Sequence, residues 1–236
     1  IDGVLRLASE AKPASAEIPL QIVSAEKRAK ERRNFARIAV ASDEAFCFTY
    51  KSNLSLLERL GAELVPFSPL RDRRLPADVD GLLLSGGYPE LYAEQLESNK
   101  DMRSQIRGAV RRNMPTLAEC GGFLYLQEHL EDEMGNCWPM AGLIHADGFR
   151  TEKLGRFGYI SLTQNGAVRI KGHEFHYWES TAPGSAFRAE KPQSDRGWDC
   201  MYRTDSLLAG FPHLYYLSGP DLILSFLSGP EEEETT

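Results

Sequence analysis

The 236-residue chain predicts an α/β fold with a doubly wound, mostly parallel sheet and added antiparallel strands, on three observations. Short apolar or β-branched runs alternate with helix-period stretches through the first half of the chain. Two of those runs open directly into Gly-Gly, at Gly86 and at Gly121. From Trp138 to Trp198 the runs shorten and alternate every second residue, as in "GRFGYISLTQ" and "VRIKGHEFHYWES", which is the pattern of antiparallel strands lying to one side.

Taken in order, "RIAVASD" (37–43) is a strand ending in turn residues. "NLSLLERLGAELVPFSPL" follows with Leu54, Leu57 and Leu60 at helical spacing, a stop at Gly61 and a second strand, completing a β-α-β unit. "VDGLLLSGGYPEL" (79–91) is a buried-strand run that opens into a glycine turn. A polar helix is expected from about Tyr92 to Arg112, ending before Pro115. "PTLAE" is the next strand and "GGFLYLQEHL" a helix placed immediately after it. Sites of such sheets lie along the carboxyl ends of the strands, where both Gly-Gly turns fall.

Residues 1–34 read as the last helix of a preceding domain plus a Pro/Ala/Ser linker and a charged run, because composition shifts sharply at "NFARIAVASD". The main domain then covers 35–229, and 230–236 form a charged tail. With 27 basic against 34 acidic residues the net charge is −7, and the one basic run, "EKRAKERR", makes no stripe; nucleic acid is not the expected partner. No apolar run reaches the roughly 18 residues of a membrane span and no signal-peptide layout opens the chain, so neither a membrane partner nor export is expected and the cytoplasm is the default location. The four cysteines contain no C-x-x-C pair, and the acidic pairs lack metal-ligand spacing, so no metal is expected.

Cys120 stands where a strand turns into a helix, followed by Gly121 and Gly122. In that turn a thiol sits at a helix N-terminus whose N–H groups favour a thiolate and bind an oxyanion. Gly86 and Gly87 offer further N–H groups for an oxyanion hole. A thiol nucleophile needs a base, and five histidines are available. His129 falls in the expected helix after Cys120, and His145 in a stretch of little pattern. His173 and His176 are three apart on an expected strand and so point to opposite faces. His213, in "LLAGFPHLYYLSGP", lies in an expected loop before the last helix. Cys47 in "SDEAFCFTYKSN" is the competing thiol, with no glycine pair beside it and an aromatic cluster around it.

In series, "RIAVASDEAFCFTY", "FSPLRDRRLP", "DGLLLSGGYPELYAEQL", "AECGGFLYL", "RFGYI", "GHEFHY" and "FPHLYYLSGP" resemble the C-terminal glutamine amidotransferase domain of cobyrinic acid a,c-diamide synthases, from about Arg37 to Leu227. The resemblance implies a flavodoxin-like, class I amidotransferase fold in which Cys120 attacks the side-chain amide of glutamine. Gly87 and Gly121, with Gly86 beside them, then supply the oxyanion hole, and His213 is the base. Tyr88, Glu119, His173, Glu174 and His176 are the expected lining of the site. Two residues beyond the histidine, where many class I relatives carry glutamate, stands Tyr215, so a Cys-His dyad is implied.

The resemblance further implies a glutamine-hydrolysing amidoligase whose ammonia passes to an N-terminal ATP-binding synthetase domain, which amidates the a and c carboxylates of cobyrinic acid in cobalamin biosynthesis. No G-x-x-x-x-G-K-[ST] phosphate loop occurs in these residues, so ATP and Mg belong to that other domain and no cofactor is expected in this one. A homodimer is compatible with this organisation. The resemblance leaves open a sibling synthase acting on another tetrapyrrole, such as nickel sirohydrochlorin, and a non-catalytic binding module that has kept the fold.

Overall fold

The computed structural model describes residues 2–10, 18–31 and 36–228. Helices α1 (Asp2–Glu10) and α2 (Leu20–Glu31) precede β1 (Arg37–Ala41), α3 (Lys51–Arg59), β2 (Glu63–Phe67) and β3 (Gly81–Leu84). A 3-10 turn at Pro89–Tyr92 leads into α4 (Ala93–Ser98) and α5 (Lys100–Arg111), then β4 (Thr116–Glu119), α6 (Gly121–Leu126), β5 (Gln127–Glu131), β6 (Cys137–Pro139) and β7 (Ile144–Arg150). The long hairpin β8 (Arg156–Gln164) and β9 (Ala167–His176) follows, then β10 (Trp178–Ser180), β11 (Phe187–Glu190), β12 (Gly197–Cys200) and β13 (Tyr202–Arg203). β14 (Leu207–Gly210), β15 (His213–Tyr215), a 3-10 turn at Tyr216–Ser218 and α7 (Pro220–Ser228) complete the order.

The main sheet runs β2-β1-β3-β4-β14-β13, with every pairing parallel except the edge strand β13. This is the flavodoxin-like order, whose connections reverse direction between β1 and β3 and leave a crevice at their carboxyl ends. β3, β4 and β14 are buried along their whole length, as central strands covered on both faces must be. Alternate residues feed two cores. Ala39, Ala41, Leu82, Leu84 and Ala118 join one, and Ile38, Val40, Leu83 and Leu117 the other.

The strands after residue 126 do not simply extend this sheet. They build a four-stranded sheet ordered β10-β7-β5-β6, in which β5 and β7 are parallel, and a five-stranded antiparallel sheet ordered β12-β11-β8-β9-β15. Ile160, Leu162 and Ile170 of the second of these pack into the same core as Ile38 and Leu83.

Three local expectations are corrected. The helix expected over 92–112 is two helices broken at Asn99, whose side-chain oxygen caps α5 through the Met102 N–H (3.3 Å) while its amide donates to the carbonyls of Pro69 and Asp72. The helix after Cys120 stops at Leu126, because the N–H groups of Ala141, Gly142 and Leu143 take the carbonyls of Tyr125, Gln127 and Leu126 and draw the chain out into β5. His129 is therefore on a strand.

The third concerns His213, which lies on the short strand β15, paired directly across from His173 on β9.

Ahead of the sheet, α2 buries Ile22 and Ala25 in the second core and packs on α7, with Gln21 donating to the Leu217 carbonyl (3.1 Å) and Arg59 bonded to Glu26. Residues 18–31 are thus attached to the folded unit. The Pro/Ala/Ser segment, the composition boundary at 34/35 and the tail 230–236 lie outside the described residues.

Candidate active site

Cys120 occupies the step from β4 to α6 with φ 45° and ψ −102°, a backbone conformation an L residue holds only under constraint. The constraint is visible. Its N–H donates to the Gly210 carbonyl (2.8 Å), its carbonyl accepts from Leu124 N–H (3.0 Å), and α6 is pressed so closely on β3 that a Cβ at Gly122 would sit 2.2 Å from the Leu84 carbonyl oxygen. This is the sharp strand-to-helix turn that exposes a nucleophile to a cleft.

The two glycine turns touch. A Cβ on Gly121 would lie 3.0 Å from the Gly87 nitrogen, and one on Gly87 would lie 2.1 Å from the Ala45 carbonyl oxygen. The loop after β1 clamps this region through Phe48 N–H to the Gly86 carbonyl and Tyr88 N–H to the Ala45 carbonyl, both 2.9 Å. The Gly121 N–H points at the Cys120 sulfur. The Gly87 N–H has no partner among the described residues. Two N–H groups beside a strained thiol form the geometry needed to receive a developing oxyanion.

His213 enters the same cavity, a cleft of about 880 Å³ lined also by Cys120, Gly87, Tyr88, His173 and Phe48. Its ring is buried and held on several sides. It stacks on His173 at 5.0 Å between centroids, meets Phe48 at 4.8 Å, and rests so closely on Gly86 that a Cβ there would fall 2.3 Å from its Cε1. Its Nδ1 has no hydrogen-bond partner among the described residues and faces Glu119 Oε2 at 3.9 Å. Glu119 in turn accepts from the Leu214 N–H (3.4 Å) and from the Tyr216 hydroxyl. Asn53, also buried, holds the same segment by donating to the Leu214 carbonyl (2.7 Å) and accepting from Tyr216 N–H (3.1 Å).

Burial dominates the electrostatics. It pushes the Cys120 thiol well above its usual range, with the carboxylates of Glu90, Glu174 and Glu119 adding to the effect, so the expected helix-end stabilisation of a thiolate is outweighed at a helix only six residues long. The resting thiol is protonated and needs a base. Burial, reinforced by the neighbouring His173 and His176, takes His213 down to about 3, leaving it neutral at rest and opposing the charge it would gain with a proton. Burial also raises Glu119 to about 8.

His173 and His176 fall on opposite faces of β9. His173 lines the cavity and its Nε2 meets the Tyr50 hydroxyl at 2.5 Å. His176 does not line it. It stacks on Phe211 at 4.1 Å and bonds the Trp178 carbonyl (2.7 Å) and Glu174 (3.0 Å). Glu174 belongs to the cavity lining, but its carboxylate is fully buried and also takes the Trp198 indole N–H (3.1 Å), so it braces the strand.

Cys47 is exposed and outside the cavity lining, so the aromatic residues around it are the part of that loop that serves the site. Phe48, Tyr50 and Asn53 had no signal beyond their nearness to the end of β1. Away from the cleft, Glu128, His129 and Asp147 bring one ligand atom each within 4.8 Å of one another, and His129 already pairs with Asp147 at 2.9 Å. The sequence spacing concealed this grouping because it spans two strands.

Comparison with known proteins matches residues 37–220 to the CobB/CobQ-like glutamine amidotransferase domain. A cobyrinate a,c-diamide synthase of Caldanaerobacter subterraneus is 38% identical over 218 residues, covering 89% of this chain and 48% of the relative. A protein of the same name from Leptospira interrogans is 36% identical over 240 residues, covering 96% and 51%. The chain therefore spans about half the length of these curated relatives. Among solved structures, a glutamine amidotransferase superposes with a TM-score of 0.58 at 16% identity, covering 81% of this chain and 97% of that one. PurLQS from Thermotoga maritima gives 0.51 at 15%, covering 83% and 97%. These two likenesses concern the fold.

Proposed function

Because the chain belongs to the CobB/CobQ-like glutamine amidotransferase domain family, we propose that it is the glutamine-hydrolysing half of a cobyrinate a,c-diamide synthase. The observation that carries the reading is the strained turn at Cys120, opening into the same cavity as the buried, neutral His213.

In this reading His213 takes the proton of the Cys120 thiol as the sulfur attacks the side-chain amide carbon of glutamine. The oxygen of the tetrahedral intermediate, now negative, is received by the N–H groups of Gly87 and Gly121. Collapse breaks the C–N bond, and the proton on His213 leaves with the nitrogen as ammonia. Water, deprotonated by His213, then hydrolyses the thioester to glutamate and restores the thiol.

The ammonia serves an ATP-dependent, carbon–nitrogen-ligating half that amidates the a and c carboxylates of cobyrinic acid in cobalamin biosynthesis. Residues 1–34 lead from that half into the glutaminase unit, onto whose core α2 packs, and 35–229 carry its site. The names of the relatives and their double length support this assignment. So does the mouth of the cavity, where Phe157, Tyr159, Phe175 and Tyr215 are all at least half exposed, an apolar rim of the kind that another protein surface covers. Among the described residues no helix is long and apolar enough to cross a membrane, in keeping with a cytoplasmic setting.

The test is glutamine hydrolysis by the protein joined to its synthetase half, comparing wild type with Cys120→Ser. Loss of glutamate production in the variant supports the reading, and undiminished production refutes it.

A further inference from the structure

We propose that Glu119, the residue immediately before the nucleophile, is the positioning residue for His213, orienting its ring and offsetting the charge it acquires. The proposal rests on the reading of Cys120 and His213 as nucleophile and base.

The His213 Nδ1 is a buried polar atom with no hydrogen-bond partner among the described residues, which costs free energy unless a neighbour answers it. Glu119 Oε2 faces it at 3.9 Å, and both side chains are almost wholly withdrawn from solvent. Tyr215, two residues beyond the histidine, is half exposed and supplies no carboxylate. An imidazole whose Nδ1–H points at a carboxyl oxygen has its lone pair on Nε2, the tautomer a base must present to a thiol.

Glu119 is itself fixed. Its other oxygen accepts the Leu214 N–H, and the Tyr216 hydroxyl donates to the carboxyl, so one side chain ties β4 to the segment carrying His213. Because Glu119, the last residue of β4, adjoins Cys120 in the chain, nucleophile and base are referred to the same end of β4.

The charges reinforce the geometry. His173 and His176 on β9 both disfavour a positive charge on His213, and Phe48 contributes none. Cys120, in the same cavity, gives up its proton in the step that charges His213, and the Glu119 carboxyl at 3.9 Å favours a positive charge once it is ionised. Burial opposes a charge on each member of the pair taken singly. An ionised Glu119 beside a protonated His213 is the arrangement in which each charge offsets the desolvation of the other. It is the arrangement that accompanies removal of the Cys120 proton.

The test measures alkylation of Cys120 by iodoacetamide across pH, read on the peptide carrying Cys120, in wild type, Glu119→Gln and Asn53→Ala. The glutamine variant keeps the shape and one acceptor oxygen for the Leu214 N–H but cannot carry charge. Asn53→Ala removes an uncharged clamp on the same segment. The proposal expects Glu119→Gln to melt near wild type while its alkylation midpoint moves up by about 1–3 pH units, as the opposite charge beside His213 is lost. The direct effect of the carboxylate on the thiol runs the other way, so loss of a Glu119 that acted on Cys120 alone would move the midpoint down, against the proposal. At neutral pH that slows alkylation at least about tenfold. Asn53→Ala is expected to lower the melting temperature and leave the midpoint in place.

A Glu119→Gln profile superimposed on wild type overturns the proposal, and so does an equal midpoint shift in Asn53→Ala, which makes the role one of holding the segment. Labelling wild type with the glutamine analogue diazo-oxo-norleucine separates the two levels. If Cys120 is not modified, the glutaminase reading fails; if it is modified and the midpoint does not move, only the role of Glu119 fails.

Discussion

Gly86→Ala adds one methyl group where the glycine turn after β3 rests against the His213 ring. That methyl carbon would stand 2.3 Å from His213 Cε1, 3.0 Å from Nδ1 and 3.5 Å from Nε2. Nonbonded carbons settle at about 3.5–4.0 Å, so the ring has to withdraw by roughly 1 Å. It has little room. His173 stacks on it, Phe48 meets it at 4.8 Å, and its own carbonyl oxygen is so near Gly172 that a Cβ there would lie 2.4 Å away.

Two consequences follow in numbers. Overpacking of a tight site costs about 1–3 kcal/mol of stability. A displacement of about 1 Å in a catalytic group costs roughly a hundredfold in rate. The assay is the rate at which diazo-oxo-norleucine modifies Cys120, together with glutamine hydrolysis, in Gly86→Ala against Gly3→Ala, a position where an added Cβ meets nothing within 4 Å. The control is expected to react as wild type. A Gly86→Ala protein that reacts at the wild-type rate would show that His213 is not the base at this position, and the reasoning would be wrong.

Gly122→Ala forces a Cβ to 2.2 Å from the Leu84 carbonyl oxygen, a clash with backbone that no rotamer relieves, so urea denaturation is expected to show a loss of about 3 kcal/mol or more, or no soluble protein. Ile22→Ala empties a fully buried site between α2 and the second core and is expected to cost about 2–4 kcal/mol in the same measurement; an unchanged midpoint would mean that α2 does not belong to the folded unit. His213, held down to about 3 by burial, stays neutral in the folded state while the unfolded chain protonates it below about 6.5. Its contribution is therefore full above that pH and is lost as pH falls towards 3. Between pH 7 and 5 wild type is expected to lose about 2 kcal/mol more than His213→Gln.

Much of this architecture is legible in the residues because several signals agree. The parallel strands β1, β3 and β4 are continuous buried runs ending in turn residues, and "AECGGFLYL" places a thiol where only glycine lets the following helix pack. What escaped depends on contacts between distant segments. Asn99 breaks a helix because Pro69 and Asp72 offer carbonyls thirty or so residues away, and α6 stops because residues 141–143 take its last carbonyls. His213 reads as a loop residue because a three-residue strand has no periodicity of its own; its pairing with His173 is set by β9. Glu119 is visible as a neighbour of the nucleophile, yet its approach to His213 depends on how β4 meets the chain 95 residues later. Burial was the largest omission. The turn at Cys120 suggests a thiolate, whereas the depth of the site and the nearby carboxylates of Glu90, Glu174 and Glu119 keep the proton on.

The central claim is that Cys120 is the nucleophile toward the side-chain carbonyl of glutamine. It is tested most directly by treating the protein with diazo-oxo-norleucine and locating the adduct by peptide mass spectrometry, with free glutamine as competitor. The account predicts a single adduct on Cys120, formed with loss of dinitrogen and suppressed by glutamine, with exposed Cys47 and Cys137 unmodified. An unmodified Cys120, or labelling of Cys47 instead, would contradict it.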